Sequence, residues 1–224
     1  MPRPQLSDDE LLQMRRRMAR AGLDMVRKQG EDKVSFRSLA AALDISHTLP
    51  YRYFENKEAL LAAIRCESLR AFDQHIRPRI DPATAYSRLE SLFIAYIDFA
   101  RSYPADYQLL FSGNQPPPNT YPDLLAARRD FFDFSLDIVQ ACIDEGLITG
   151  EAREVAHAYW VSLHGMMTLH AANQLVHGKT LEQLAPSMLQ RLMGTVSKPR
   201  IRKKPTGKGS LETRSSVRRK GAQA

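Results

Sequence analysis

The chain has 224 residues, 43% of them hydrophobic and 25% charged, enough apolar material for a packed core and outside the composition of disordered proteins. Its longest apolar runs, residues 59–64 and 92–97, fall far short of the roughly 20 residues needed to cross a bilayer, so no membrane span is expected. The net charge of +7 is partitioned into +4 over residues 1–79, −6 over 80–196 and +9 over 197–224, which points to a polyanionic partner at the ends and a different task in the middle.

Helix signals recur along almost the whole chain. Ser7 followed by Glu10 forms a capping box, and Leu11, Met14, Met18, Ala21 and Met25 then repeat at helical spacing until Gly30 stops the run. Ser35 is the N-cap of a short helix whose apolar face is Phe36, Leu39, Ala40 and Leu43, and Asp44 tolerates the left-handed turn after it. Ser46 caps a third helix through Phe54, and Asn56 caps a longer fourth from Lys57 to about Arg77, ended by Pro78 and Pro82.

Ala85, Leu89, Leu92, Phe93, Tyr96, Ile97 and Ala100 mark the next amphipathic helix, and a short one follows from Pro104 to Phe111. Residues 112–122 contain three consecutive prolines and read as a loop. Residues 123–145 are helical with a stripe of Phe131, Phe134, Ile138 and Cys142, stopped at Gly146. In residues 151–177 the apolar positions Val155, Tyr159, Trp160, Leu163, Met166, Met167 and Leu169 spread too widely for one stripe, so this helix is expected to be covered from two sides. A last helix covers 181–196. No segment alternates with the period of a strand, and the fold class is all-α.

Residues 35–57, SFRSLAAALDISHTLPYRYFENK, set two short helices around a tight turn, the helix-turn-helix arrangement. Ile45, Pro50 and Phe54 face inward. His47, Thr48, Leu49, Tyr51, Arg52 and Tyr53 are left at or near the exposed side, a set of donors, acceptors and methyl contacts suited to a major groove about 12 Å wide. A purely structural helix pair would rarely expose two tyrosines, a histidine and an arginine so close together.

Ser35, Arg37, the Leu39-Ala40-Ala41-Ala42-Leu43 run, Ile45, Ser46, Tyr51, Tyr53, Phe54 and the Asn56-Lys57-Glu58-Ala59-Leu60 run together resemble the DNA-binding region of the TetR (tetracycline-repressor) family of bacterial regulators. That resemblance implies an all-helical protein that dimerises through its last two long helices. It also implies roles residue by residue. Arg37 reaches base edges or phosphates, Ser46, His47 and Thr48 open the recognition helix, and Leu49 touches a thymine methyl. Tyr51 and Tyr53 bond phosphates through their hydroxyls, Arg52 serves base or backbone, and Lys57 clamps a phosphate beside helix N-terminal N–H groups. Pro50 departs from the family pattern of a branched aliphatic. A proline four residues after the cap removes one helical N–H bond and crowds the Ser46 carbonyl, which predicts a later start or a bend.

The expected domains are 11–71, a three-helix helix-turn-helix DNA-binding domain; 78–196, a helical ligand-binding and dimerisation domain; and 197–224, a basic disordered tail. The corresponding function is a cytoplasmic, ligand-responsive repressor that binds a near-palindromic double-stranded operator as a homodimer and responds to a small-molecule effector. The start of the chain lacks the apolar stretch of a secretory signal. Candidate pocket residues are Phe93, Tyr96, Tyr107, Phe111, Phe131, Phe134, Trp160 and His164, since pockets between helices are lined by aromatic groups with a few polar ones.

Other chemistry is poorly supported. His157, His164, His170 and His177 recur six or seven residues apart, whereas metal ligands on a helix usually stand four apart, so no metal or cofactor is expected. Cys66 and Cys142 lack a C-x-x-C pairing and read as buried, inert thiols. No nucleophile elbow, phosphate loop or carboxylate pair supports catalysis. Two rivals remain: a helical small-molecule-binding protein or enzyme with a vestigial helix-turn-helix, and a sequence-tolerant DNA-coating protein driven by its tail.

Overall fold

Five of the helices start where a side chain takes up N–H groups that the first turn leaves unbonded. The computed structural model describes residues 7–111 and 115–194; the basic tail expected over 197–224 lies outside them. Ser7 and Glu10 close a reciprocal capping box on α1 (Asp8–Gln29), and the bonds from Ser7 to its carboxylate hold Glu10 below the usual carboxylate range. Ser35 and Ser38 do the same for α2 (Phe36–Leu43), which ends at Asp44 with φ of 52°. Asn56 caps α3 (Lys57–Ile76) through the Ala59 N–H at 2.9 Å, and Thr84 caps α4 (Ala85–Ser102). Then come α5 (Pro104–Phe111), α6 (Pro122–Asp144) opened by its proline, α7 (Ala152–Ala171) capped by the Glu151 carboxylate, and α8 (Leu181–Gly194). Among the described residues there is no strand, and the fold is all-α.

Two expected helices differ from the structure. Residues 46–54 do not form an α-helix: only Pro50–Arg52 is regular, and it is a three-ten turn. Pro50 has no N–H to give the Ser46 carbonyl, which instead accepts from Leu49 at 2.9 Å, and the tighter pattern continues with Arg52 N–H to Leu49 and Tyr53 N–H to Pro50. α7 also stops at Ala171, six residues earlier than expected. Asn173 adopts φ of 54°, Gln174 N–H returns to the Leu169 carbonyl at 2.8 Å and Asn173 N–H to that of His170 at 3.0 Å, a closing motif that needs only one left-handed residue.

The helices enclose two cores. One is built from Met18, Leu23 and Val26 of α1, Phe36 and Leu39 of α2, and Leu60, Leu61 and Ile64 from the first half of α3. The other takes Leu69, Phe72 and Ile76 from the second half of α3 and adds α4, α6 and α7 around Phe93, Phe99, Ile138 and Leu163. α1 lies close on α3 because Gly22 faces Ile64 there; a Cβ at position 22 would stand 2.8 Å from Ile64 Cγ1. α5 contributes to both, with Leu109 in the first core and Tyr107 and Leu110 in the second.

Candidate nucleic-acid interface and ligand cavity

The tip of the first core is fixed from within. Pro50 and Phe54 are buried, Ile45 N–H bonds the Ala40 carbonyl at 3.1 Å, and Arg15 donates to the Tyr53 carbonyl while its guanidinium lies 4.8 Å above the Phe54 ring. This inner scaffold leaves Arg37, Ser46, His47, Thr48, Tyr51, Arg52 and Lys57 exposed on one end of the molecule, with Leu49 half-buried. Ser46 and Thr48 hydroxyls bond each other at 2.9 Å. Tyr51 is 64% exposed and stands edge-on against Phe36, ring centroids 4.5 Å apart, so its hydroxyl is presented on a braced ring. Lys57 opens α3, where unbonded backbone N–H groups add to its charge.

Tyr53 is the exception. The sequence places it beside Tyr51 at the exposed side, but it is 7% exposed and belongs to the core. In a three-ten turn, residues three apart share a face, so a buried Pro50 carries Tyr53 inward with it. Arg15, the residue that ties the tip to α1, has no signal in the sequence beyond its place among five arginines of one helix.

The second core contains a cavity of about 410 Å³, bounded by α3, α4, α6 and α7 and by the end of α5. Its walls are largely aromatic and aliphatic. Phe93, Tyr96, Phe111, Phe131, Trp160 and His164 line it, in agreement with the sequence reading. Two candidates do not. Tyr107 stands one layer behind, bonded to Tyr96 at 3.0 Å and to His164 Nδ1 at 2.7 Å. Phe134 packs at the edge of the second core instead, where the Arg77 guanidinium covers it at 4.2 Å.

Tyr96, Tyr107, His164 and Thr168 form one hydrogen-bonded chain along the cavity wall. Burial pushes the Tyr107 hydroxyl up to about 12, pushes Tyr96 higher still than usual and pulls His164 down. The chain is therefore neutral at physiological pH, with one His164 ring nitrogen bonded to the Tyr107 hydroxyl and the other to that of Thr168. Burial likewise raises the Cys66 and Cys142 thiols to about 11, which makes them poor nucleophiles.

Reasoning from aromatic content missed Arg128, Ser135 and Gln115, which also line the cavity. A signal for two of them exists. Leu124, Arg128, Phe131, Ser135, Ile138 and Cys142 recur at alternating spacings of four and three, the inward stripe of α6, and Arg128 and Ser135 are its polar interruptions. Among the described residues no group of three His, Cys, Asp or Glu is placed to hold a metal.

A family model for the N-terminal part, "Bacterial regulatory proteins, tetR family", matches residues 20–64, and one for "Tetracyclin repressor-like, C-terminal domain" matches residues 89–192. The chain belongs to the TetR family. It is accordingly a transcription regulator with an N-terminal helix-turn-helix. No curated protein matches it in sequence. Solved structures share the TetR fold at low identity. A protein of unknown function from Rhodococcus sp. RHA1 is 22% identical with a TM-score of 0.71, the match covering 88% of this chain and 100% of that one. AibR in complex with isovaleryl coenzyme A and operator DNA is 22% identical with a TM-score of 0.57, over 80% of this chain and 98% of that one. The TetR-family regulator PfmR from Thermus thermophilus is 16% identical with a TM-score of 0.58, over 81% of this chain and 100% of that one.

Within this TetR-family fold, α5 connects the tip to the cavity. Asp106 is 1% exposed and takes both carboxylate oxygens to Arg27 of α1 at 2.8 Å, with Ser68 of α3 as a third partner. One residue on, Tyr107 carries the hydrogen-bonded chain of the cavity, and Phe111 lines it. Arg65, also buried, reaches from α3 to Glu31 beyond α1 at 2.8 Å and to the Leu109 carbonyl of α5. α5 is thus held to the DNA-binding part by the Asp106–Arg27 ion pair and the Arg65 bond to its Leu109 carbonyl, and to the cavity by aromatic packing. No helix among the described residues is long and apolar enough to cross a membrane.

Proposed function

We propose that the chain is a ligand-responsive repressor that binds a near-palindromic operator as a homodimer. The observation that carries this reading is the double membership of α5: a ligand pressing on Tyr96, Phe111 or His164 acts on the same eight-residue helix that is clamped to α1 through Asp106 and Arg27. Ligand binding then favours one setting of α5 over another, and a ligand shifts such an equilibrium only by its differential affinity for the two settings. A changed angle of α1 alters the spacing of the two tips, and operator half-sites about one helical turn apart tolerate little change.

In this reading residues 11–71 bind DNA and residues 78–196 bind ligand and dimerise. Arg37, Ser46, His47, Thr48, Tyr51, Arg52 and Lys57 contact the operator, and Leu49 packs on a thymine methyl. Only three residues of the recognition segment, Pro50–Arg52, are regular, so fewer side chains are aligned toward base edges and phosphate contacts gain weight. Dimerisation uses the outer side of α7, where Trp160, Val161 and Leu169 are large, apolar and exposed, and where Gly165 leaves open space for a second helix to approach. The structural neighbour AibR was solved with both isovaleryl coenzyme A and operator DNA, which supports an effector and an operator for this chain as well.

Selection of genomic fragments on the purified full-length chain at physiological salt tests the whole reading. An inverted repeat should be enriched, and light scattering should give the mass of two chains. Tyr51→Ala should weaken binding to the enriched repeat by about tenfold, roughly 1.4 kcal/mol, and Tyr51→Phe, which keeps the ring against Phe36 and removes only the exposed hydroxyl, should weaken it without moving the urea midpoint. No enriched sequence would favour the ligand-binding or enzymatic rival. Loss of all DNA affinity on removing residues 197–224, with Tyr51→Ala inert, would favour the coating protein.

A further inference from the structure

Arg128 is the feature of the cavity that the surrounding packing does not explain. It sits on the inward stripe of α6, where its neighbours one turn away are Leu124 and Phe131, and it lines a cavity whose walls are otherwise largely apolar. A guanidinium stays protonated wherever it is placed, so the charge cannot be shed. Its hydrogen-bond partner is the Gln115 side-chain oxygen. Gln115 is itself anchored, its amide N–H donating to the Leu109 carbonyl at 2.9 Å.

No carboxylate among the described residues answers this charge. Burial, first, and the neighbouring Arg65 work against the Arg128 cation; only the Cys66 thiol, a weak acid, works the other way, and no carboxylate does. Other interior-facing arginines are matched: Arg27 has Asp106 at 2.8 Å, and Arg65 has Glu31 at 2.8 Å. Taking a cation out of water is costly unless an anion and hydrogen bonds compensate. The opposite wall cannot supply that anion, because the Tyr96–Tyr107–His164–Thr168 chain is neutral and its bonds are already made.

We propose that the cavity binds an amphipathic monocarboxylate, its carboxylate on Arg128 beside Gln115 and its apolar body among Phe93, Phe131, Tyr159 and Leu89. This rests on the reading of the cavity as the effector site and names the ligand class. The planar fork of N–H donors matches a carboxylate in two-point contact. A single unmatched positive charge neutralises a monoanion, whereas a dianionic phosphate would bring surplus negative charge into an apolar space. A ligand held there reaches α5 directly, through the Gln115 bond to Leu109, whose side chain lies in the core of the DNA-binding part.

The test uses the full-length chain with hexanoate, octanoate and decanoate, the alcohols and amines of the same lengths, and octyl phosphate, read by calorimetry and thermal shift. The best carboxylate should bind at least about tenfold more tightly than its alcohol, the range expected of a charge-assisted hydrogen bond. Arg128→Gln should bring the carboxylate to the level of the alcohol and leave the alcohol unchanged, and Arg128→Lys should keep part of the preference. Equal binding of carboxylate and alcohol, tighter binding of the amine or phosphate, or a preference that survives Arg128→Gln overturns the proposal. If alcohols bind and release the enriched DNA while carboxylates have no advantage, only the ligand class falls. If no probe binds or releases DNA, the effector-site reading falls with it.

Discussion

The tip and the cavity solve opposite problems with the same kind of helix. The tip turns its functional groups outward: Arg37, His47, Tyr51, Arg52 and Lys57 lie in water, and the buried residues beneath them, Phe36, Leu39, Pro50 and Phe54, only hold their backbone in place. The cavity turns its functional groups inward, so each must be satisfied by a neighbour from another helix. Tyr107 needs Tyr96 and His164, and Arg128 has Gln115. An exposed site therefore depends on one local motif, while an enclosed site depends on four or five elements meeting. Substitutions should separate these two dependences.

The largest effect is expected where the two regions are joined. Arg27→Ala leaves the Asp106 carboxylate buried without its ion pair, a loss of about 3 kcal/mol for a broken buried pair. Urea unfolding should show it, and the operator response to ligand should weaken in the same variant. A response that survives unchanged would show that α5 does not couple the regions.

A smaller effect isolates the first core. Gly22→Ala pushes a methyl against Ile64, which is 0% exposed and has little room to move, at a cost of about 1–2 kcal/mol. Adding Ile64→Val should recover part of it. If the pair simply adds, the contact between α1 and α3 is looser than the structure shows.

The smallest effect belongs to His164. Burial lowers its folded pKa below the unfolded value, so the unfolded chain takes up the proton first as pH falls. The contribution is flat above the unfolded value, near 6.5, and stability declines as pH drops from there through the lower folded pKa. His164→Gln should flatten the part of the stability profile that falls below about pH 6.5. A slope that persists would place the titrating group elsewhere.

The tip was largely legible because its geometry follows from near neighbours in sequence. Ser7 with Glu10, Ser35 with Ser38, Asp44 and Asn56 mark helix ends by chemistry that acts across three or four residues. Pro50 signalled a disturbed third helix, yet the outcome for Tyr53 was hidden: whether a residue faces in or out depends on turning three or 3.6 residues per turn, and one proline shifts that count. The cavity was legible only as a composition. Phe131 and Phe134 look equivalent in sequence, and only their place on α6 sends one inward to Phe72 and the other to the edge of the core under Arg77.

By itself the sequence determined the all-helical class, the positions of most helix ends, the family and the exposed set at the tip except Tyr53, because caps, prolines and apolar spacing act through bonds a few residues long. The tertiary structure decided which aromatics enclose the cavity, that α5 serves both cores, and that Arg128 faces inward without an acid partner among the described residues. Burial and charge compensation arise between helices tens of residues apart, and no local pattern fixes which of them meet.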